Sequence, residues 1–166
     1  MTKKQTLNEK PDRKKLSGSQ QSNQPKQSNA SPNSSEDIVK KMVDRIGKFK
    51  TGLREYQIRE MVNDTEQLGS KLAKNLKTNQ VRKFLDAVNR LKAQPEKEKD
   101  FEEIKSGVQL LRPQLAYAAA RQKGAVDLQL VMEAAINQIN EAEDFTRFVQ
   151  LTESIIAYHK AAGGKD

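Results

Sequence analysis

No cysteine occurs anywhere in the 166-residue chain, which excludes disulfides, thiolate metal sites and cysteine nucleophiles and suits a reducing cytosol. Tryptophan is missing too, and the aromatic residues amount to five Phe and three Tyr. So small a set disfavours a single-strand nucleic-acid binder built as a row of stacking platforms. Histidine occurs once, at His159, so neither a His pair for metal nor a His-based acid–base couple can form within one chain. Neither a phosphate-cradling Walker loop nor a dinucleotide fingerprint is present. No apolar run approaches the roughly 18 residues of a membrane span, and no signal-like apolar segment follows the N-terminal lysines. The expectation is a cytoplasmic protein without a cofactor.

Apolar residues are also unevenly distributed. Between Ser17 and Ser35 the chain reads SGSQQSNQPKQSNASPNSS, where Ala30 is the only apolar side chain. Nothing in such a stretch offsets the entropy of ordering its backbone. Residues 1 to about 34 are therefore expected to form a disordered polar, basic tail, and residues 35–166 a folded helical domain. The formal charge of +8 is uneven as well. Residues 1–35 hold seven Lys/Arg against Glu9 and Asp12, a balance of +5. Residues 36–95 carry 14 basic and 8 acidic side chains, whereas residues 121–166 carry 5 and 7. This gradient points to a polyanion or an acidic partner near the N-terminal half, or simply to lysine-rich helical surfaces that favour solubility.

What the folded part does have is helical periodicity. Ser35 suits an N-cap, with Glu36 and Asp37 in the first turn, and Ile38, Met42, Ile46 and Phe49 follow as a stripe ahead of the breaker Gly52. Leu53, Tyr56, Ile58, Met61, Val62, Leu68, Leu72 and Leu76 continue the pattern as one long helix or two, with Asn63-Asp64 and Gly69 as the weak points. Thr78 is expected to cap a helix whose apolar face is Val81, Phe84, Leu85, Val88 and Leu91. AQPEKEKD at 93–100 reads as a polar turn. The next stripe, Phe101 to Ala118, contains Pro113, which removes a hydrogen bond to Gln109 and predicts a kink or a break near Leu111 and Arg112. Leu128 to Ile139 and Phe145 to His159 make the last two helices, closed by Gly163-Gly164. Strand alternation is missing, so the fold class is all-α, a compact bundle of five to six helices with a disordered N-terminal tail.

The candidate chemistry is cationic rather than catalytic. Glu141, Glu143 and Asp144 fall at a helix start, where the dipole accounts for them. His159 lies on an apolar stripe near a helix C-terminus, which argues for packing over a lone general base. On the helix from Thr78, Asn79, Arg82, Lys83, Asp86, Asn89 and Arg90 reach the side opposite the apolar face. Asp86 stands at the i,i+4 pairing distance from both Arg82 and Arg90, but Lys83 lacks an acid at that spacing, and Lys83 and Arg90 lie seven apart, nearly in line along the helix. With Lys77 they form a basic ridge able to track phosphates without reading bases. Lys48, Lys50 and Arg54 make a second cluster, and Lys71, Lys74 and Lys77 a third.

Three segments taken together, TNQVRKFLDAV at 78–88, LRPQLAYAAAR at 111–121 and FTRFVQLTESIIAYHKAAGG at 145–164, resemble the small subunit of type III-A CRISPR effector complexes, the small helical protein of the Csm assembly. The resemblance covers roughly residues 36–164 and leaves out the polar tail. It implies a non-enzymatic scaffold that takes part in RNA-guided antiviral interference. In that family several copies stack beside the backbone subunits and face guide and target RNA through basic residues, while cleavage belongs to other subunits. The Gln-x-Arg-Lys-Phe pattern falls on Gln80, Arg82, Lys83 and Phe84, which makes Arg82 and Lys83 the leading RNA-contact candidates. The Pro-x-Leu-Ala-Tyr-x-x-x-Arg pattern falls on Pro113, Leu115, Ala116, Tyr117 and Arg121, and Arg121 is expected to reach a phosphate or a neighbouring subunit. Ala157, Tyr158, His159 and Lys160 match a third pattern, read as structural or as a subunit contact. The expected RNA-binding set is Lys77, Arg82, Lys83, Arg90, Lys48, Lys50, Arg54 and Arg121, with no catalytic or metal residue. The partners implied are guide and target RNA, the other Csm subunits and further copies of the chain. The rival reading is a helical protein-protein adaptor with no RNA contact.

Overall fold

Apolar side chains spaced by three and four residues can be buried only if each segment is helical and packs its stripe against others. The computed structural model realises this in seven α-helices, and it describes residues 34–93 and 101–165, with side chains from Ile38 onward. The expectations for a disordered tail and for the polar turn after Ala93 lie outside the described residues. Helix α1 spans Ser34–Gly47, one residue ahead of the Ser35 cap position. A single 3-10 turn, Leu53–Glu55, leads into α2, Ile58–Asn75. Residues 53–76 thus form a short turn and one uninterrupted helix. Gly69 does not break α2 because it serves α7, Ala142–Ala161. A Cβ at Gly69 would stand 2.7 Å from the His159 backbone nitrogen, so only glycine lets the two helices approach this closely.

Helix α3, Thr78–Lys92, buries Val81, Phe84 and Val88 as its spacing requires. Thr78 is not its cap. Lys77 occupies that position without a side-chain bond. The Thr78 hydroxyl instead donates to the Gly164 carbonyl at 2.9 Å, and its N–H donates to the Lys165 carbonyl at 2.8 Å. Helices α4, Phe101–Gln109, and α5, Leu111–Arg121, meet at Leu110. Pro113 lies in the first turn of α5, where its missing N–H is tolerated, and the expected interruption falls at Leu110. With α4 and α5 taken as two limbs of one interrupted rod, the described residues hold six helical rods and no strand.

Helix α6, Ala125–Ile136, buries Leu128, Val131, Met132, Ala135 and Ile136. Ile139 was expected to extend it but lies beyond its end, still buried. Helix α7 runs through the centre and buries Phe145, Phe148, Val149, Leu151 and Ile155 against α2, α3 and the 3-10 turn. A glycine at Gly163, with φ 81°, follows its C-cap, in the left-handed conformation that glycine tolerates best. One apolar core joins all seven helices. Among the described residues no helix is long and apolar enough to cross a membrane.

Within this core Asp64 on α2 is 1% exposed. Its carboxylate accepts from Lys41 Nζ at 2.9 Å, from Arg45 Nη1 at 2.8 Å and from the Tyr56 hydroxyl at 2.8 Å. These bonds tie α1, α2 and the turn between them. A buried carboxylate is tolerated because each oxygen is answered by a donor. Asp64→Ala leaves the Tyr56 hydroxyl buried without an acceptor, and it should lower stability by about 2 kcal/mol in urea unfolding. Burial, and then the neighbouring carboxylate, pushes the Tyr56 phenol well above its ordinary value. The folded state therefore holds this proton at pH values where the unfolded chain loses it. Stability from this group is complete below about pH 10 and falls above it, by up to about 1.4 kcal/mol per pH unit. Tyr56→Phe should remove that alkaline slope, as measured by urea midpoints across pH.

Candidate nucleic-acid interface

Helix α3 turns Val81, Phe84 and Val88 inward, which leaves its charged positions to solvent. Lys77, Arg82, Lys83 and Arg90 are all exposed. Among the described residues none of the four is held in an ion pair, and the pairing of Arg82 with Asp86 is not formed. The ridge therefore keeps its full charge.

The fold adds Arg121 to this ridge. Between α3, α5 and the start of α6 lies a groove of about 580 Å³ lined by Gln80, Lys83, Phe84, Tyr117, Arg121 and Leu128, among others. Lys83 and Arg121 come from different helices, yet they share one rim. Pro113 and Leu115 line the same groove, so two of the sequence patterns converge on it. Arg121 Nη1 donates to the Tyr117 hydroxyl at 2.9 Å, and its guanidinium carbon lies 5.4 Å from the ring centroid. Tyr117 remains 65% exposed. Arg121 and Tyr117 thus form a hydrogen-bonded cation–π pair at i,i+4 on the groove edge. No Asp or Glu is among the described residues lining the groove.

Lys48 belongs to a second basic recess, about 610 Å³ in volume, at the end of α1 with Lys40, Lys41, Asp44, Arg45 and Phe49. Sequence reading missed Lys40 as its companion, which lies on α1 while Lys48 lies in the turn just past its end. Lys50 lies past the helix with its side chain exposed, and its backbone N–H donates to the Glu55 carboxylate at 2.8 Å. The Thr51 hydroxyl and backbone N–H also donate to Glu55, which holds that carboxyl below its ordinary value. Lys71, from the third expected cluster, is paired to Asp127 at 2.9 Å.

Arg54 departs from expectation. Its guanidinium pairs with Glu141 and stands 3.6 Å from the Asp144 carboxylate. The Glu141 hydrogen bond outweighs desolvation and raises the Arg54 pKa above the ordinary guanidinium value. The backbone N–H of Arg54 donates to Asp144 Oδ1 at 2.8 Å. Asp144 Oδ2 accepts the N–H groups of Asn140 and Glu141 at 3.0 and 2.9 Å, completing a capping box on α7. Gly52, at φ 139°, lies where any Cβ would strike the Asp144 carboxylate. Arg54 thus belongs to a joint between two loops rather than to a free basic cluster. His159 is likewise structural. It is fully buried, and its Nε2 donates to the Leu76 carbonyl at 2.8 Å. Among the described residues no group of His, Asp or Glu could hold a metal ion.

Removing Asp144 unsatisfies backbone donors at the start of α7 and frees the Gly52 loop. Asp144→Ala should cost about 2 kcal/mol. Glu143→Ala, exposed in the same turn, should change stability by less than about 0.5 kcal/mol. Urea unfolding of the two variants side by side measures the difference.

Residues 55–165 match the family model described as Csm2 type III-A. A curated relative named CRISPR system Cms protein Csm2, from Streptococcus thermophilus, is 35% identical over 94 residues, which make up 55% of this chain and 76% of the relative. No solved structure matches. The matched stretch contains the α3 ridge, the groove and the whole of α7, and the chain belongs to the type III-A Csm2 family, the small subunits of the CRISPR Csm complex.

Proposed function

We propose that the chain is a non-catalytic, RNA-contacting scaffold subunit that helps hold guide and target RNA along the type III-A effector filament. In this reading it works in the cytoplasm beside the other Csm subunits and further copies of itself. The observation that supports it best is the groove whose rim carries Lys83 and Arg121 with no carboxylate to answer them. Lys77, Arg82 and Arg90 extend the same charge along α3, and Lys48 and Lys50 offer a second, separate attachment. Arg54, being committed to Glu141 and Asp144, carries no RNA contact here. Cations arranged this way neutralise phosphates and position a strand, while base pairing between guide and target supplies sequence discrimination.

A helical adaptor without RNA contact is the second reading, and it draws on a different feature. Leu110 at 67%, Leu130 at 48% and Val126 at 39% are exposed apolar side chains. Such a set suits a protein partner. Co-purification with the other subunits that survives complete nuclease treatment, with no RNA crosslink to this chain, supports the adaptor.

The deciding measurement is a salt titration of single-stranded RNA binding. Each phosphate contact contributes about 0.7 to the slope of log affinity against log salt. Lys83→Ala combined with Arg121→Ala should reduce that slope by about 1.4, with helicity unchanged because both side chains are exposed. An unchanged slope removes the groove from the RNA-binding face.

A further inference from the structure

The groove between α3 and α5 contains more than a phosphate site needs. Two cations would suffice for backbone tracking, and they could stand on any exposed helix face. Here they stand at the rim of a concavity whose floor is apolar, formed by Phe84, Leu115 and Leu128. At its edge Tyr117 presents an aromatic ring that is 65% exposed. Three amide side chains, Gln80, Gln114 and Gln122, line the same space. Among the described residues none of these three amides makes an internal hydrogen bond. An amide offers both a donor and an acceptor, the combination that the edge of a nucleobase requires.

We infer that this groove is a slot for one unpaired nucleotide of the bound RNA, with its base against Tyr117 and the apolar floor and its phosphate between Lys83 and Arg121. The inference rests on the RNA-contact reading and adds a base-binding component to it. Charge complementarity selects the occupant. A rim with two cations and no carboxylate repels a basic segment and favours an anion, and the uncharged amides suit a neutral heterocycle better than a second acidic group. The volume of about 580 Å³ falls within the range of small-ligand sites and is ample for a single nucleotide. The Arg121 guanidinium, already in cation–π contact with Tyr117, can stay beside the ring or move to the phosphate while the base takes its place.

The test compares two single-stranded RNA probes of equal length and phosphate count, one with bases and one abasic throughout, each titrated with the full chain. A base stacked on an aromatic side chain should make the intact strand bind about 5- to 100-fold more tightly. Tyr117→Ala should bring the two affinities together without altering the salt slope, since no phosphate contact is lost, and Tyr117→Phe should keep them apart. Exposure of Tyr117 makes both variants compatible with folding. Equal affinity of the unmodified chain for the two strands overturns the slot and leaves the groove to an acidic partner helix. A persistent preference for the intact strand in Tyr117→Ala overturns the assignment of the base to this ring. These outcomes are separable from failure of the phosphate reading, which appears as an unchanged salt slope on removal of Lys83 and Arg121.

Discussion

The corner where α2 ends and α3 begins is held from outside, by the end of α7, and the orientation of the basic ridge depends on that hold. His159 reaches across from α7 to donate to the Leu76 carbonyl, the residue that closes α2. Two residues later, the Thr78 N–H and hydroxyl are taken by the carbonyls of Lys165 and Gly164. Gly69 permits the approach by bringing α2 within van der Waals contact of the His159 and Tyr158 backbone. A helix N-terminus leaves several N–H groups without intrahelical partners, and here the Lys165 carbonyl, after α7, accepts that of Thr78 in place of a side-chain cap. The direction in which α3 departs, and so where Lys83 faces, is set by this junction. Leu76 also lines the groove, which makes the corner part of the candidate site's wall.

The chain's many cations divide into two populations by what the fold places next to them. Asp64 consumes Lys41 and Arg45, Asp127 takes Lys71, and Glu141 with Asp144 takes Arg54. These are structural charges. Removing the partners of Asp64 or Asp144 would first loosen packing, because those two carboxylates are buried and cost free energy when unanswered. Among the described residues Lys77, Arg82, Lys83 and Arg90 have no such commitment. A residue count sees one positive balance, whereas the structure separates cations that hold the bundle from cations left for an external anion.

That division also explains what could be read from sequence. The stripe on α3, the buried face of α7, the interruption ahead of Pro113 and the Gly163 terminator all follow from spacing and backbone chemistry within a few residues. Thr78 looked like a cap because its type and position are right, but the Gly164 carbonyl competes for the hydroxyl and comes from the far end of the chain. Arg54 looked free because its acids, Glu141 and Asp144, lie in a distant loop that tertiary packing brings beside it. Gly69 looked like a weak point because helix propensity penalises glycine, and the compensating contact belongs to α7. Lys83 and Arg121 were both named from sequence, but their convergence on one groove depends on how α5 docks against α3. Local rules find elements and individual candidates; pairings across the bundle need the packed structure.

A scarcity of aromatic residues disfavours a continuous row of stacking platforms, and the structure sharpens that argument without reversing it. Of the aromatic rings, Phe84, Phe145 and Phe148 are buried in the core and Tyr56 is buried beside Asp64. Tyr117 stands apart as the ring that is 65% exposed and paired with a guanidinium. One platform cannot hold a single strand by stacking alone, so most of any affinity must come from phosphates and depend on salt. What one platform can do is fix the position of one nucleotide relative to the protein. Phosphate contacts are nearly equivalent from one nucleotide to the next and permit sliding, whereas an occupied base slot differs in energy from an empty one. On the proposed reading, a ridge of cations with one such slot is therefore suited to holding register on a bound strand.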